Sequence, residues 1–263
     1  FMITLKFGGT SMANARRILS SADIIINSAK EDRLSVIVSA VAGVSNNLQS
    51  AIDACTTGIP YINYVEDLRK IHSDICSELQ SKCEGFNADK VMEKINPLFE
   101  ELEKLLAGCV SFGECPSTVH CRIMGMGELL SSPIMEAVLL AKGMSVILLD
   151  SRKFVFTTGN QLEGEADYAK CKEACMPFRD GENKSQTRIL LFSGFICTWT
   201  NSVTKKESMG LLGRNGKSNL NLSAIVTINS ELVGLALSIS TLCPNISSIK
   251  SQLPRFQLTS IAC

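Results

Sequence analysis

Residues 3–7 form a short β-rich run that stops at Gly8-Gly9-Thr10-Ser11, and across residues 13–30 the apolar side chains Ile18, Leu19, Ala22, Ile25, Ile26 and Ala29 recur at helical spacing. Residues 34–40 are a second strand of buried type, broken by Gly43, with Ser45 placed to cap a helix that runs through Asn47, Leu48, Ala51 and Ile52. Strand, turn, helix, strand, helix is the order that most narrows the fold. Such alternation predicts a parallel sheet with helices packed on its faces.

Two long amphipathic patterns follow, residues 64–83 and 88–109, the second carrying Val91, Ile95, Leu98, Leu102, Leu105 and Leu106 on one face. Gly127 is read as opening a helix that continues to Gly143, after which residues 144–149 are an apolar strand ending in Asp150. A further strand over 187–192 ends at Ser193-Gly194-Phe195, and polar loop chemistry fills 157–186 apart from a short helix around residues 168–176. Beyond residue 216 the composition changes: the last 47 residues hold four charged side chains against 48 in the first 216, and Ser, Thr and Asn supply 16 of them. Within that tail, residues 225–239 read as one apolar element of undecided type. No internal repeat is present.

Charge and cysteine content remove several function classes. Lys plus Arg and Asp plus Glu both number 26 in the 263 residues, so no basic excess favours a nucleic acid. No run of 18 or more apolar residues occurs and no secretory leader pattern stands at the start, so neither a membrane nor export is expected. Eleven scattered cysteines, an odd number in a long chain, read as reduced thiols in the cytoplasm.

Three segments can carry chemistry. Lys6-Phe7-Gly8-Gly9-Thr10-Ser11 sets a cation at a strand end, with two glycines that let backbone N–H groups approach a phosphate; the alternative is a tight turn with an exposed lysine. Glu128 after Gly127 either complements a helix dipole or acts as counter-ion to a substrate ammonium. Arg214, between Gly213 and Asn215-Gly216, can clamp a carboxylate or phosphate bidentately, or lie in a surface hairpin. The stretch from Gly210 to Gly216-Lys217-Ser218 imitates a P-loop but has five residues between the glycines where four are needed. Metal ligation is weakly supported, since there is no CxxC pair and only two histidines, His72 and His120; no metal residue is assigned.

In order and spacing these segments resemble the catalytic domain of aspartate kinases, of the amino-acid kinase fold, over residues 2–216. The resemblance rests on Lys6-Phe7-Gly8-Gly9-Thr10-Ser11, Val38-Ser39-Ala40 with Gly43-Val44-Ser45-Asn46, Gly127-Glu128-Leu129-Leu130-Ser131, Ser193-Gly194-Phe195-Ile196 and Leu212-Gly213-Arg214-Asn215-Gly216. It is most similar to the kinase half of the bifunctional aspartokinase–homoserine dehydrogenases. The resemblance implies a three-layer α/β/α sandwich with a mainly parallel sheet, incomplete at its C-terminal side. It implies transfer of the ATP γ-phosphoryl group to the side-chain carboxylate of L-aspartate, with ATP and Mg²⁺ required, at the head of lysine, threonine and methionine biosynthesis. It assigns Lys6 and Arg214 to catalysis, Gly8, Gly9 and Ser11 to the phosphate path, and Ser39, Ser45, Glu128 and Phe195 to the substrate pocket. Position 45 is usually threonine in the family, and serine keeps the hydroxyl.

After Gly216 the family pattern of Ser-Asp-Tyr and a later nucleotide-binding segment is replaced by Lys217-Ser218-Asn219-Leu220. The expected division is therefore 2–216 as the aspartokinase-like catalytic region and 217–263 as a divergent tail, as in a truncated or frame-shifted product. Its competing function is a catalytically inactive fragment that keeps a vestigial aspartate pocket. Absent edge strands would expose apolar surface, so a homo-oligomer is a further expectation.

Overall fold

The computed structural model describes residues 2–180, 189–213 and 259–260. Strand β1 (Met2–Phe7) leads through a 3₁₀ turn (Gly9–Met12) into helix α1 (Ala15–Ala29), whose first turn is capped by the Asn14 side chain accepting from the Arg17 N–H at 3.0 Å. Strand β2 (Arg33–Val38) returns parallel beside β1 and continues into helix α2 (Val44–Thr57). The expected β-α-β-α unit is present. The cap of α2 is not Ser45: Gly43, at φ 82°, takes that position, and Ser45 lies inside the first turn. A left-handed backbone angle suits glycine because it has no Cβ to clash.

Helices α3 (Ile62–Lys82) and α4 (Ala88–Phe112) match the two long amphipathic patterns and form an antiparallel hairpin. Their pairing is visible in side chains: Arg69 bonds Glu103 at 2.9 Å, and one turn on His72 meets the Phe99 ring edge at 5.8 Å.

The largest departure from the sequence reading is α5 (Ser117–Ala141), one continuous helix in which Gly125 and Gly127 sit in the middle. Each glycine costs an isolated helix about 1 kcal/mol relative to alanine, which is why the sequence pattern suggested a start at Gly127. Tertiary packing reverses that preference. A Cβ at Gly125 would fall 2.0 Å from Met209 Cε, and one at Gly127 would fall 2.7 Å from Ala40 Cβ, so both glycines let neighbouring elements touch the helix backbone. Glu128 is thus mid-helix, and the dipole explanation for it no longer applies. By length and composition α5 alone among the described residues could cross a membrane; 78% of its most apolar window is buried inside the protein, where it forms the central core helix.

Strands β3 (Val146–Leu149), β4 (Phe156–Thr158) and β5 (Glu165–Ala166) follow, then α6 (Tyr168–Asp180), β6 (Ile189–Ser193), β7 (Ile196–Thr200), β8 (Glu207–Leu211) and β9 (Thr259–Ser260). The main sheet has the order β3-β6-β2-β1-β9, and every pairing in it is parallel. Its two faces separate by alternation. Leu5, Phe7, Leu34, Val36, Val38, Ile189 and Leu191 join the core built with α1 to α5, whereas Ile37, Leu190 and Phe192 join Phe154, Val155, Cys171, Cys175, Cys197 and Leu212 on the other side. That second side carries a four-stranded sheet, β5-β4-β7-β8, and α6. The region read as polar loop therefore contains two short strands and a longer helix, and β7 and β8 were not foreseen. The apolar element read at 225–239 and the P-loop imitation from Arg214 onward lie outside the described residues.

Candidate active site

In an all-parallel sheet the carboxyl ends of the strands open into a crevice, and loops leaving those ends converge there. Here β1, β2 and β6 are adjacent or nearly so, and their C-terminal ends surround a cleft of about 290 Å³. Lys6 lines it from β1, alternating with Leu5 and Phe7, which point into the helical core. Gly9 lines it from the 3₁₀ turn, Ser39 and residues 40–43 from the loop after β2, and Ser45 from the first turn of α2. Glu128 enters from α5, Gly194 and Phe195 from the turn after β6, and Gly213 from the segment after β8.

Six of the nine side chains or glycines expected from sequence meet in this one cleft: Lys6, Gly9, Ser39, Ser45, Glu128 and Phe195. Gly8 and Ser11 do not line it. The Ser11 N–H donates to the Gly8 carbonyl at 3.0 Å, and the buried Ser11 carbonyl accepts from Ser21 Oγ at 3.0 Å, so this pair builds the turn and ties it to α1. Arg214 lies outside the described residues; its neighbour Gly213 is on the cleft rim.

The walls of the cleft are held by main-chain bonds between strand ends. Ser39 N–H donates to the Phe7 carbonyl at 3.1 Å, and Gly194 N–H to the Val38 carbonyl at 2.8 Å. A Cβ at Gly194 would lie 3.1 Å from that same Val38 oxygen, so any side chain there would crowd this carbonyl. Phe195 next to it adopts φ 63°, a left-handed conformation that costs a bulky residue about 1–2 kcal/mol. Its carbonyl accepts from Leu212 N–H at 3.0 Å, which fastens the strained turn to the end of β8.

Glu128 is 4% exposed, and its Oε1 accepts from the Ala40 N–H at 3.3 Å. Around it lie buried hydroxyls to which the sequence reading gave no role. Ser131 Oγ donates to the Ser39 carbonyl at 2.9 Å, Ser132 Oγ to the Glu128 carbonyl at 2.8 Å, and Ser151 Oγ to the Ser193 carbonyl at 2.6 Å. Ser132 and Ser193 hydroxyls are 2.8 Å apart; since the Ser132 proton is used on Glu128, Ser193 is the donor between them. The available sequence signal was Ser131-Ser132 between Leu129-Leu130 and Ile134-Met135, an apolar stretch where a buried hydroxyl demands a partner.

Neither histidine lines the cleft. His72 is wholly buried in the α3–α4 hairpin, where desolvation lowers its pKa, while the bond from Nδ1 to the Leu68 carbonyl at 2.7 Å opposes that shift. The nine cysteines among the described residues are free thiols, and none lines the cleft. Burial pushes Cys121, Cys175 and Cys197 up to about 12, which keeps them protonated and unreactive at neutral pH. Glu128 is the one carboxylate on the cleft among the described residues, where no group of three or more His, Cys, Asp or Glu side chains is arranged to hold a metal ion.

Comparison with known proteins gives a consistent result. Residues 2–202 match the amino acid kinase family. A bifunctional aspartokinase/homoserine dehydrogenase of Buchnera aphidicola is 29% identical over 216 residues, covering 82% of this chain and 25% of that protein. The chloroplastic aspartokinase 1 of Arabidopsis thaliana is 30% identical over 158 residues, covering 59% of this chain and 26% of that protein. Among solved structures, aspartokinase III of E. coli in complex with aspartate and ADP superimposes with a TM-score of 0.71 at 22% identity, covering 89% of this chain and 47% of that one. The lysine- and aspartate-bound form of the same enzyme gives 0.68 at 24% identity, with 86% and 47% covered. The chain thus spans about a quarter of the curated relatives named here and about half of the solved ones.

Proposed function

Since the chain belongs to the amino acid kinase family, we propose that it acts as an aspartate kinase, moving the γ-phosphoryl group of ATP to the side-chain carboxylate of L-aspartate to give 4-phospho-L-aspartate. The observation that carries this reading is the convergence of a cation, an acid and a glycine-lined backbone on one cleft at the strand ends. Its volume lies near the lower end of the roughly 300–1,000 Å³ typical of small-molecule sites, which suits an amino acid and one phosphoryl group. The relatives named above carry aspartokinase in their names, and one solved neighbour holds aspartate and ADP.

The chemistry needs little from the protein beyond placement. An aspartate side chain, with an ordinary pKa of about 3.9, is ionised at neutral pH, so the nucleophile forms without a general base. A cleft without histidine agrees with that requirement. What opposes reaction is the meeting of two anions and the charge that spreads over the phosphoryl oxygens in a loose transition state. Lys6 supplies fixed positive charge there, and the Gly9 backbone lines its approach. Glu128 pairs with the substrate ammonium, Ser39, Ser45 and Phe195 shape the acceptor pocket, and Arg214 clamps a substrate carboxylate. Gly8 and Ser11 act one step back, by holding the turn that carries Gly9.

Mg²⁺ is carried by the nucleotide in this reading: among the described residues a single cleft carboxylate, itself bonded to Ala40, is a poor cage for a hard dication that prefers several oxygens. No step is assigned to the ion. The chain is divided into a catalytic region, 2–216, and a tail, 217–263, and its free thiols favour the cytoplasm.

Trapping of the acyl phosphate with hydroxylamine tests the proposal. Aspartyl hydroxamate formed only with ATP and aspartate present is the expected product. A folded chain that makes none and binds no aspartate would be an inactive relative.

A further inference from the structure

The Glu128 carboxylate is only as useful as its distance from the strand ends, and the bonds around it show what sets that distance. Its own link to the cleft wall, Ala40 N–H to Oε1 at 3.3 Å, is longer than the usual 2.7–3.2 Å range, so it is a weak spacer. The shorter bond is one helical turn further on, where Ser131 Oγ reaches the Ser39 carbonyl at 2.9 Å. Ser131 Oγ also stands 3.3 Å from the Glu128 carbonyl, but a hydroxyl has one proton, and the shorter, longer-range contact claims it.

Residues 39 and 40 are therefore gripped on both sides: the Ser39 N–H, in the preceding peptide group, bonds Phe7 of β1, and both polar groups of the peptide between Ser39 and Ala40 bond α5, through Ser131 and Glu128. The absent Cβ of Gly127 permits the approach, since a methyl there would meet Ala40 Cβ at 2.7 Å. On its other side α5 is fastened to the end of β6 by the Ser132 and Ser193 hydroxyls. Ser131 is wholly buried and does not line the cleft, so it cannot touch a substrate.

We infer that Ser131 is a positioning residue: its bond to the Ser39 carbonyl sets the gap between α5 and the β2 strand end, and so aims the Glu128 carboxylate at an acceptor ammonium. The second half of this inference rests on the aspartate kinase reading, whereas the first concerns the folded chain alone.

Two measurements on the 263-residue chain separate them. Amide hydrogen exchange of Ser131→Ala should speed up about tenfold at Ala40 while the Val36 amide in mid-strand keeps its rate. Equal acceleration at both, or none at Ala40, would overturn the positioning role. Calorimetric titration with L-aspartate and with succinate, which lacks the ammonium, should show wild type preferring aspartate and Ser131→Ala narrowing that preference about fivefold. An unchanged preference in a variant with a faster Ala40 amide would remove Glu128 aiming from the proposal. If wild type binds neither acid, the kinase reading fails and the exchange data alone decide the role of Ser131.

Discussion

The α3–α4 hairpin and the cleft at the strand ends each bury a titratable side chain, and they use it in opposite ways. His72 faces Phe99 and a backbone carbonyl inside a helical pair and does not line the cleft, so its imidazole serves as one more packed ring. Glu128 is almost as buried but borders an open cleft, beside a strained phenylalanine and a strand-end lysine. Burial alone does not separate a packed polar group from one that a ligand could reach. What it borders does.

That contrast is broken or sharpened by perturbing each region and reading both stability and function. The largest effect is expected in the hairpin. Phe99→Ala deletes a wholly buried ring and should lower unfolding free energy by about 3–5 kcal/mol in denaturant titration, with aspartate affinity intact in the fraction that remains folded. Next is Lys6→Ala, expected to cut turnover by about 10²–10³-fold, or about 3–4 kcal/mol, with little change in thermal midpoint; near-normal kcat would remove Lys6 from the chemistry. Glu128→Gln should weaken aspartate about tenfold or more and leave ATP affinity within twofold. An effect confined to ATP would contradict the ammonium assignment.

The smallest effect is a pH dependence, and its sign follows from His72. Its folded pKa is depressed, so the unfolded chain takes up the proton first as pH falls, and acidification favours unfolding. Stability from this group is present above about pH 6.5 and is lost below it, by at most about 1.4 kcal/mol per pH unit, until the folded form also protonates. His72→Leu should flatten that slope below about pH 6.5. Asp150 adds a shallower loss at lower pH: burial pushes its pKa up, but the paired Arg152 guanidinium outweighs burial and holds it below the ordinary value. Because that pair is about one-third exposed, solvent screening keeps its share small.

Much of this architecture was legible from local pattern. Residues 3–7 and 34–40 read as strands because unbroken β-favouring runs bounded by glycines have few other uses, and β1 and β2 lie there. Helices α3 and α4 were plain because apolar spacing of helical period is sustained across residues 64–83 and 88–109. Illegible were β4, β5, β7 and β8, whose two to five residues are too short to establish a period. The start of α5 was misplaced for a different reason: its glycines obey helix propensity in isolation and packing in the fold.

By itself the sequence determined the alternation of strands and helices, hence a parallel sheet, and the chemical types that the proposed phosphoryl transfer would need. Those are properties of neighbouring residues, and short-range spacing encodes them. Only the tertiary structure decided that Lys6, Ser39, Glu128 and Phe195 share one cleft, that Gly8 and Ser11 stand behind it, and that Ser131 on α5 bonds the Ser39 carbonyl at the end of β2. Such facts depend on distances between segments tens of residues apart, set by which side chain is missing where two backbones meet, and no local pattern carries them.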